Sequence, residues 1–287
     1  MRDARPGRID VKPEIPLFQR LGRRTLPREA HPHKAPGPKS PGTLAVATYN
    51  IHSCVGADGR CNPERIAAVL LELDVDIVAL QEVGRRNQGW DQGRFLSEAT
   101  GLHVIAAAEH HDYRGRFGNA ILSRWPAGKA RVIDLTAGIH GPRNAIDAEF
   151  EIDGKTLRVI ATHFGLGGSE RWAQTRRLLE AITDWPEDDT LKSALLMLGD
   201  LNEWRGRAGG IPALERRFRA RSPVPLSGQN PKTPLPRTFP AWMPVLPLDR
   251  IYAAAPARLY DFHVHRSAMA RKASDHLPLY ARLVWPN

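Results

Sequence analysis

Ala194-Leu195-Leu196-Met197-Leu198-Gly199-Asp200-Leu201-Asn202 is an apolar run that ends on an acid and an amide two positions apart. A short unbroken apolar stretch of this kind reads as a strand buried on both faces. On an extended backbone Asp200 and Asn202 point to the same side. Taken alone this says little, because Asp or Asn after a strand is ordinarily turn chemistry. The arrangement recurs, however, in five other segments: Thr48-Tyr49-Asn50-Ile51-His52, Leu80-Gln81-Glu82, Thr162-His163-Phe164, Leu248-Asp249-Arg250-Ile251 and Ser274-Asp275-His276-Leu277-Pro278. Six polar strand tips in one chain are more than turns require. In α/β architectures, sites gather where strands end and loops begin.

The intervening sequence predicts strands interleaved with helices. Leu44, Val46 and Thr48 open a buried strand ending at Asn50, and 77–80 form a second. Pro63 opens a helix with Ile66, Ala67, Leu70, Leu71 and Leu73 at helical spacing, and Asn62 is placed to cap it. A short helix is predicted over 94–100. Further strands are predicted over 102–107, 119–123, 130–135, 145–150, 156–162, 194–198, 248–252, 258–263 and 279–283. A longer helix fits 170–184, with Trp172, Leu178, Leu179 and Ile182 facing inward. The Pro-rich stretch 222–247 reads as an ordered, irregular surface loop. The alternation argues for an α/β domain in which helices cover stacked sheets.

Formal net charge is +10, with 41 Lys+Arg against 31 Asp+Glu. Residues 1–42 carry ten of the cations and four of the acids, so this Pro-rich tail supplies +6 and the body about +4. The tail, without apolar periodicity, reads as a basic, disordered extension that is either solvated or docked on acidic surfaces. A mildly basic body suits anionic substrates but argues against a dedicated nucleic-acid groove. Two cysteines, Cys54 and Cys61, are too few for a disulfide framework or a structural zinc site, and read as reduced thiols. No apolar run of about 18 residues predicts a transmembrane segment. No h-region follows the basic N-terminus, so the cytoplasm is the expected location.

The segments "LQE" (80–82), "GDLN" (199–202), "LDRIY" (248–252) and "SDHLP" (274–278), in this order, resemble the endonuclease/exonuclease/phosphatase superfamily. That superfamily includes pancreatic-type deoxyribonucleases, AP endonucleases, neutral sphingomyelinases and inositol-polyphosphate 5-phosphatases. The resemblance spans about 43–283. It implies a four-layer α/β/β/α sandwich of two mixed β-sheets flanked by helices, with residues 43–287 as the catalytic domain. It also implies a metal-dependent hydrolase cleaving a phosphodiester by in-line attack of water.

Such a reaction needs positioned positive charge, an activated water and a proton for the departing alkoxide. Mg²⁺ takes oxygen ligands and keeps several waters, so one or two carboxylates suffice. Glu82 is the first choice as that ligand, with Asn50 adjacent and Asp275 assisting; the resemblance also makes Glu82 the main metal carboxylate. The resemblance assigns Asp200 to orienting the attacking water and Asn202 to a phosphoryl oxygen. His276, beside Asp275, is the candidate for a charged imidazole at the scissile phosphate, and the resemblance pairs it with Asp249. His163 marks deoxyribonuclease-like and sphingomyelinase-like members and reads as a second acid or phosphate contact. Arg143 and Asn119 match family positions near the phosphate; Arg143 would approach it and Asn119 would line or support the site.

His52 departs from AP endonucleases, which carry an Asp there that contributes to metal binding. A second Mg²⁺ is therefore not expected, although Mn²⁺ could use an imidazole. The sequence shows no aromatic-rich DNA-insertion loop and no long lipid-binding hairpin. A nuclease and a phospholipid or small-molecule phosphodiesterase remain balanced as readings. A phosphomonoesterase and a non-catalytic binding protein on the same fold are the alternatives.

Overall fold

The computed structural model of the chain describes residues 42–85, 91–112, 115–138, 141–183, 193–205, 210–219, 235–254 and 257–284. The tail expected over 1–42 lies, apart from Gly42, outside the described residues. Among the described residues there are eleven strands: β1 (Thr43–Asn50), β2 (Ile77–Arg85), β3 (His103–Asp112), β4 (Gly115–Ser123), β5 (Lys129–Asp134), β6 (Asn144–Ile152), β7 (Lys155–His163), β8 (Ser193–Asp200), β9 (Asp249–Ala254), β10 (Arg258–Val264) and β11 (Leu279–Val284). The helices are α1 (Pro63–Leu73), α2 (Gln92–Thr100), α3 (Gly168–Ala181), α4 (Ile211–Arg219) and α5 (Ala270–Ala273).

The strands form two mixed sheets, one in the order β10-β11-β1-β2-β4-β3 and the other β5-β6-β7-β8-β9. The apolar pattern of β8 explains why the sheets stack. Ala194, Leu196 and Leu198 point between the sheets and meet Val46, Ile77 and Ile121 from the first sheet. Leu195 and Met197 point the other way, against Leu178 of α3 and Phe218 of α4. The outer face of the first sheet buries Tyr49, Leu80 and Leu122 against Ile66 and Leu70 of α1 and Leu96 of α2. Three separate apolar layers between four structural layers make the α/β/β/α sandwich.

Sheet register brings the motif-bearing tips to one end. In the parallel pair β1–β2, Asn50 lies beside Gln81, and in the parallel pair β7–β8, His163 lies beside Asp200. Antiparallel β9 places Asp249 opposite Asp200. Antiparallel β11 pairs Leu279 with Thr48, so the Ser274–His276 loop emerges at the same end.

Several local expectations hold in detail and some do not. Asn62 caps α1 by accepting the Arg65 amide at 3.1 Å. Trp172 was expected to face inward on α3, yet it is 54% exposed. Glu170, Arg171, Gln174 and Thr175 are buried there instead, together with Leu178. Their partners are polar: the inner side of this helix meets loop backbone, and Gln174 accepts the Gly165 amide at 2.9 Å. Helix α4, not expected, buries Ile211, Leu214 and Phe218 at helical spacing. The Pro-rich stretch was expected to run over the surface. Its described part, from residue 235, instead buries Thr238 and Ala241. Among the described residues, no helix is long and apolar enough to cross a membrane.

Candidate active site

Asp200 is the meeting point of the strand tips. Its Oδ2 accepts the Asn50 side-chain amide at 3.1 Å and lies 3.7 Å from His163 Nε2 and 3.6 Å from His276 Nε2. The same Asn50 nitrogen lies 3.1 Å from Glu82 Oε1. Asp200, Asn50, His163 and His276 are all buried, while Glu82 is half-buried. Glu82 reaches this position through a break in the β2–β4 register and a backbone φ of 56°, a left-handed conformation that costs free energy for a non-glycine residue. Asn202 also has positive φ, at 50°.

His276 is held from behind. Its Nδ1 lies 3.0 Å from Asp249 Oδ2, and the Thr238 hydroxyl donates to that same oxygen at 2.5 Å. The Phe239 ring stands 4.9 Å from the imidazole, centroid to centroid. The Ser274 hydroxyl donates to the Asn50 carbonyl at 2.7 Å and accepts the His276 amide at 3.3 Å, which joins the first and last motifs. Burial works against a charged His276. The adjacent Asp249 and Asp200 carboxylates outweigh it and lift the group to about 10. Burial raises Asp249, whereas the two histidines and the Asn202 and Asn50 donors outweigh burial at Asp200 and hold it below the usual carboxylate range. Asp249 Oδ2 accepts two hydrogen bonds, an arrangement that stabilises the ionised carboxylate, so the pair is an imidazolium and a carboxylate.

His163 is driven the other way. Burial lowers its proton affinity more than Asp200 raises it, and Arg143 lowers it further. Asn202 Nδ2 donates to the Phe164 carbonyl at 2.9 Å, which fixes the amide's orientation, and the same nitrogen lies 3.1 Å from His163 Nε2. His163 is therefore neutral with its proton on Nδ1. Two histidines flank one carboxylate with their proton affinities pushed apart, a pattern that separates acid and base roles.

Of the residues singled out in the sequence, Asn50, Glu82, His163, Asp200, Asn202, Asp249 and His276 come together. Arg143 is close enough to act electrostatically on His163. Asn119 is buried and donates to the Asn144 carbonyl at 3.0 Å, tying β4 to β6, so it supports the site. Asn202 was assigned to a phosphoryl oxygen, but its amide nitrogen faces Phe164 and His163. Asp275 sits at the edge, 40% exposed, with Oδ1 3.7 Å from His52 Nδ1. Thr238 and Phe239 were missed, as was the buried Arg171–Glu203 pair beside Asn202.

The fit to a cation differs between two sets. Asp200, Asp249 and His276 have atoms within 4.8 Å of one another. An imidazolium has no free lone pair to coordinate with, so this trio fits a proton relay better than a metal cage. On the other side, Glu82 and Asp200 each direct a carboxylate oxygen at the Asn50 amide. That oxygen-only set matches a hard divalent ion that keeps most of its water.

The sequence profile of the Endonuclease/Exonuclease/phosphatase family matches residues 47–276. The chain belongs to the endonuclease/exonuclease/phosphatase family. Members of this family are hydrolases acting on phosphoesters. A relative from Escherichia coli (strain K12), "Uncharacterized protein YbhP", is 29% identical over 273 residues, covering 84% of this chain and 96% of that protein. Among solved structures, an endonuclease/exonuclease/phosphatase from Beutenbergia cavernae superposes with a TM-score of 0.64 at 22% identity, covering 85% of this chain and 72% of that one. A mannosyl-6-phosphatase from Bacteroides thetaiotaomicron gives 0.63 at 18% identity, with 84% and 99% covered. Truncated Caenorhabditis elegans TDP2 gives 0.60 at 19% identity, with 84% and 97% covered. At these identities the structural likenesses speak to the fold, and the family match carries the reaction class.

Proposed function

We propose that the chain is a divalent-metal-dependent hydrolase of phosphodiesters. The observation that carries this reading is Asp200 Oδ2, met by Asn50, His163 and His276 from three separate segments within 3.7 Å. Glu82 would hold Mg²⁺, or Mn²⁺ in its place, with Asn50 beside it donating Nδ2 to Glu82 and Asp200 and so positioning those carboxylates, and Asp275 adds negative charge at the edge. Such an ion supplies positive charge to the phosphoryl oxygens and the leaving oxygen. Asp200, kept ionised, accepts a hydrogen bond from the attacking water and orients it. His276 presents a protonated Nε2 whose opposite nitrogen is fixed by Asp249. It stabilises the charged phosphoryl group and gives its proton to the leaving alkoxide. His163 carries no proton on Nε2, so it is a contact and not the acid. Asn202 fixes the His163 ring, and Arg143 adds charge towards the phosphate.

The Bacteroides neighbour keeps a phosphomonoesterase reading in play. A dianionic monoester calls for more cationic side chains at the phosphate than a diester does, whereas this reading places Arg143 and His276 there. The test is hydrolysis of bis(p-nitrophenyl) phosphate and of p-nitrophenyl phosphate, with Mg²⁺, Mn²⁺ or a chelator. The diester should be preferred and the chelator should abolish turnover. Glu82→Ala and His276→Ala should each lower the rate by about 10²-fold or more. Wild-type rates in both variants would show that the site has been misplaced.

A further inference from the structure

Among the described residues, four of the large apolar side chains left exposed are scattered singly, Leu71 on α1, Val132 on β5, Trp172 on α3 and Tyr260 on β10, and need no explanation. Leu166, Trp204, Trp242, Met243 and Val245 differ, because they lie on the loops that carry or brace the site. Leu166 and Trp204 follow the ends of β7 and β8, just beyond His163 and Asn202. Trp242, Met243 and Val245 lie in the loop ahead of β9, which runs antiparallel to β8 and so emerges at the same end.

That second loop is built to hold its tip outward. A bridge between Phe239 and Leu246 closes it, with the Val245 and Leu246 amides on the Phe239 carbonyl at 2.8 Å. The Ala241 amide donates to the Asp275 carbonyl at 2.7 Å, and Arg271 donates to the Ala241 carbonyl at 3.2 Å. Trp242 and Met243 nevertheless stand 68% and 50% exposed. Cations outnumber acids around them: Arg205, Arg237 and Lys272 are exposed and no acid occurs from 235 to 248, while Asp275, 40% exposed, lies beside Ala241.

We infer that this end of the sandwich docks on an anionic phospholipid surface, with Trp242 and Met243 entering the interface and a lipid phosphodiester offered to the site. The substrate half of this inference rests on the function proposed above; the docking half does not. Met243, Val245 and Leu166 are aliphatic and give a nucleobase no ring to stack on, whereas they gain from burial among acyl chains. Tryptophan suits the headgroup boundary, and the surrounding cations suit lipid phosphates.

Docking is measured without turnover, by co-sedimentation of the full chain in chelator with vesicles of phosphatidylcholine containing roughly one-third phosphatidylglycerol. The wild type should sediment with these vesicles and much less with pure phosphatidylcholine. The double variant Trp242→Glu, Met243→Glu should bind about ten-fold or more weakly, whereas Leu71→Glu, equally apolar and exposed but on α1, should bind like the wild type. Equal binding by wild type and double variant would assign the attraction to charge elsewhere and overturn the inference. So would single-stranded DNA that binds through Trp242 while the vesicles do not, a result that would make the surface a polynucleotide site. Loss of diester hydrolysis with vesicle binding intact would count only against the proposed function.

Discussion

His276 Nδ1 meets Asp249 Oδ2 at 3.0 Å, with both side chains buried, and the pair holds the imidazole charged up to about pH 10. An unfolded histidine titrates near 6.5. The folded state therefore binds a proton that the unfolded state releases above that value. The stabilisation is complete below 6.5 and is lost as pH rises through 10. Melting temperature should fall between these limits in the wild type and fall less in His276→Gln. Asp249→Asn removes the largest raising influence, so the alkaline limb of diester hydrolysis should move to lower pH as turnover drops by about 10²-fold. An unmoved limb in Asp249→Asn would disconnect this pair from the reaction.

The two cysteines should behave differently. Cys54 is buried, and burial pushes its thiol up, out of the range where thiolate forms; Cys61 is exposed. Since the thiolate is the nucleophile, a thiol reagent should modify one cysteine per native chain, identified as Cys61 by peptide mapping, and both after denaturation. Rapid modification of Cys54 in the native protein would contradict its packing behind β1.

Strand tips were legible where a motif ends an apolar run, as it does at Asn50, His163 and Asp200, the last residues of β1, β7 and β8. Asp249 and His276 stand ahead of their strands instead, Asp249 opening β9 and His276 preceding β11, so the run that follows places them. Register then supplied what single segments lack, by setting His163 beside Asp200 and Asp200 opposite Asp249. Thr238 was not legible. It comes from Pro-rich sequence without periodicity, and its bond to Asp249 depends on a loop path that no local pattern encodes. Trp172 misled for a physical reason. Hydrophobicity predicts the inner face of a helix when its neighbours are apolar, but α3 covers loop carbonyls and amides, which Arg171 and Gln174 satisfy. Asn202 was legible in place, and the contact of its amide nitrogen with His163 was not, because that depends on the register of β7 against β8.

Gly199 sits between the two polar strand tips, and a Cβ there would run into the Thr162 carbonyl oxygen. This is backbone of the adjacent parallel strand and cannot rotate away. Gly199→Ala should force β7 and β8 apart where His163 and Asp200 lie side by side, costing about 1–3 kcal/mol of stability. Turnover should fall further than the loss of folded protein explains, since Asp200 and His163 shift together. Denaturant unfolding alongside rate per folded molecule separates the two effects; an unaltered rate per folded molecule would mean that the tips tolerate the displacement.

Arg171 and Glu203 form a buried ion pair at 2.8 Å that ties together the loops bearing the site. Arg171 also donates to the Leu166 carbonyl at 2.5 Å, just beyond His163. Glu203 accepts the Arg205 amide at 2.8 Å, and its own carbonyl takes Arg250 at 3.1 Å. Removing one partner leaves an uncompensated charge away from water, so Arg171→Met or Glu203→Leu alone should cost about 3–5 kcal/mol. Removing both should recover much of that, because two apolar side chains of similar volume carry no desolvation cost. Arg171→Lys should fall between, since an ammonium cannot span a carboxylate and a carbonyl in one plane. Urea unfolding of the four variants gives the coupling directly. If the pair mainly braces His163 and Asn202, the double variant should regain stability while its turnover stays low; recovery of both would reduce the pair to a stabilising contact.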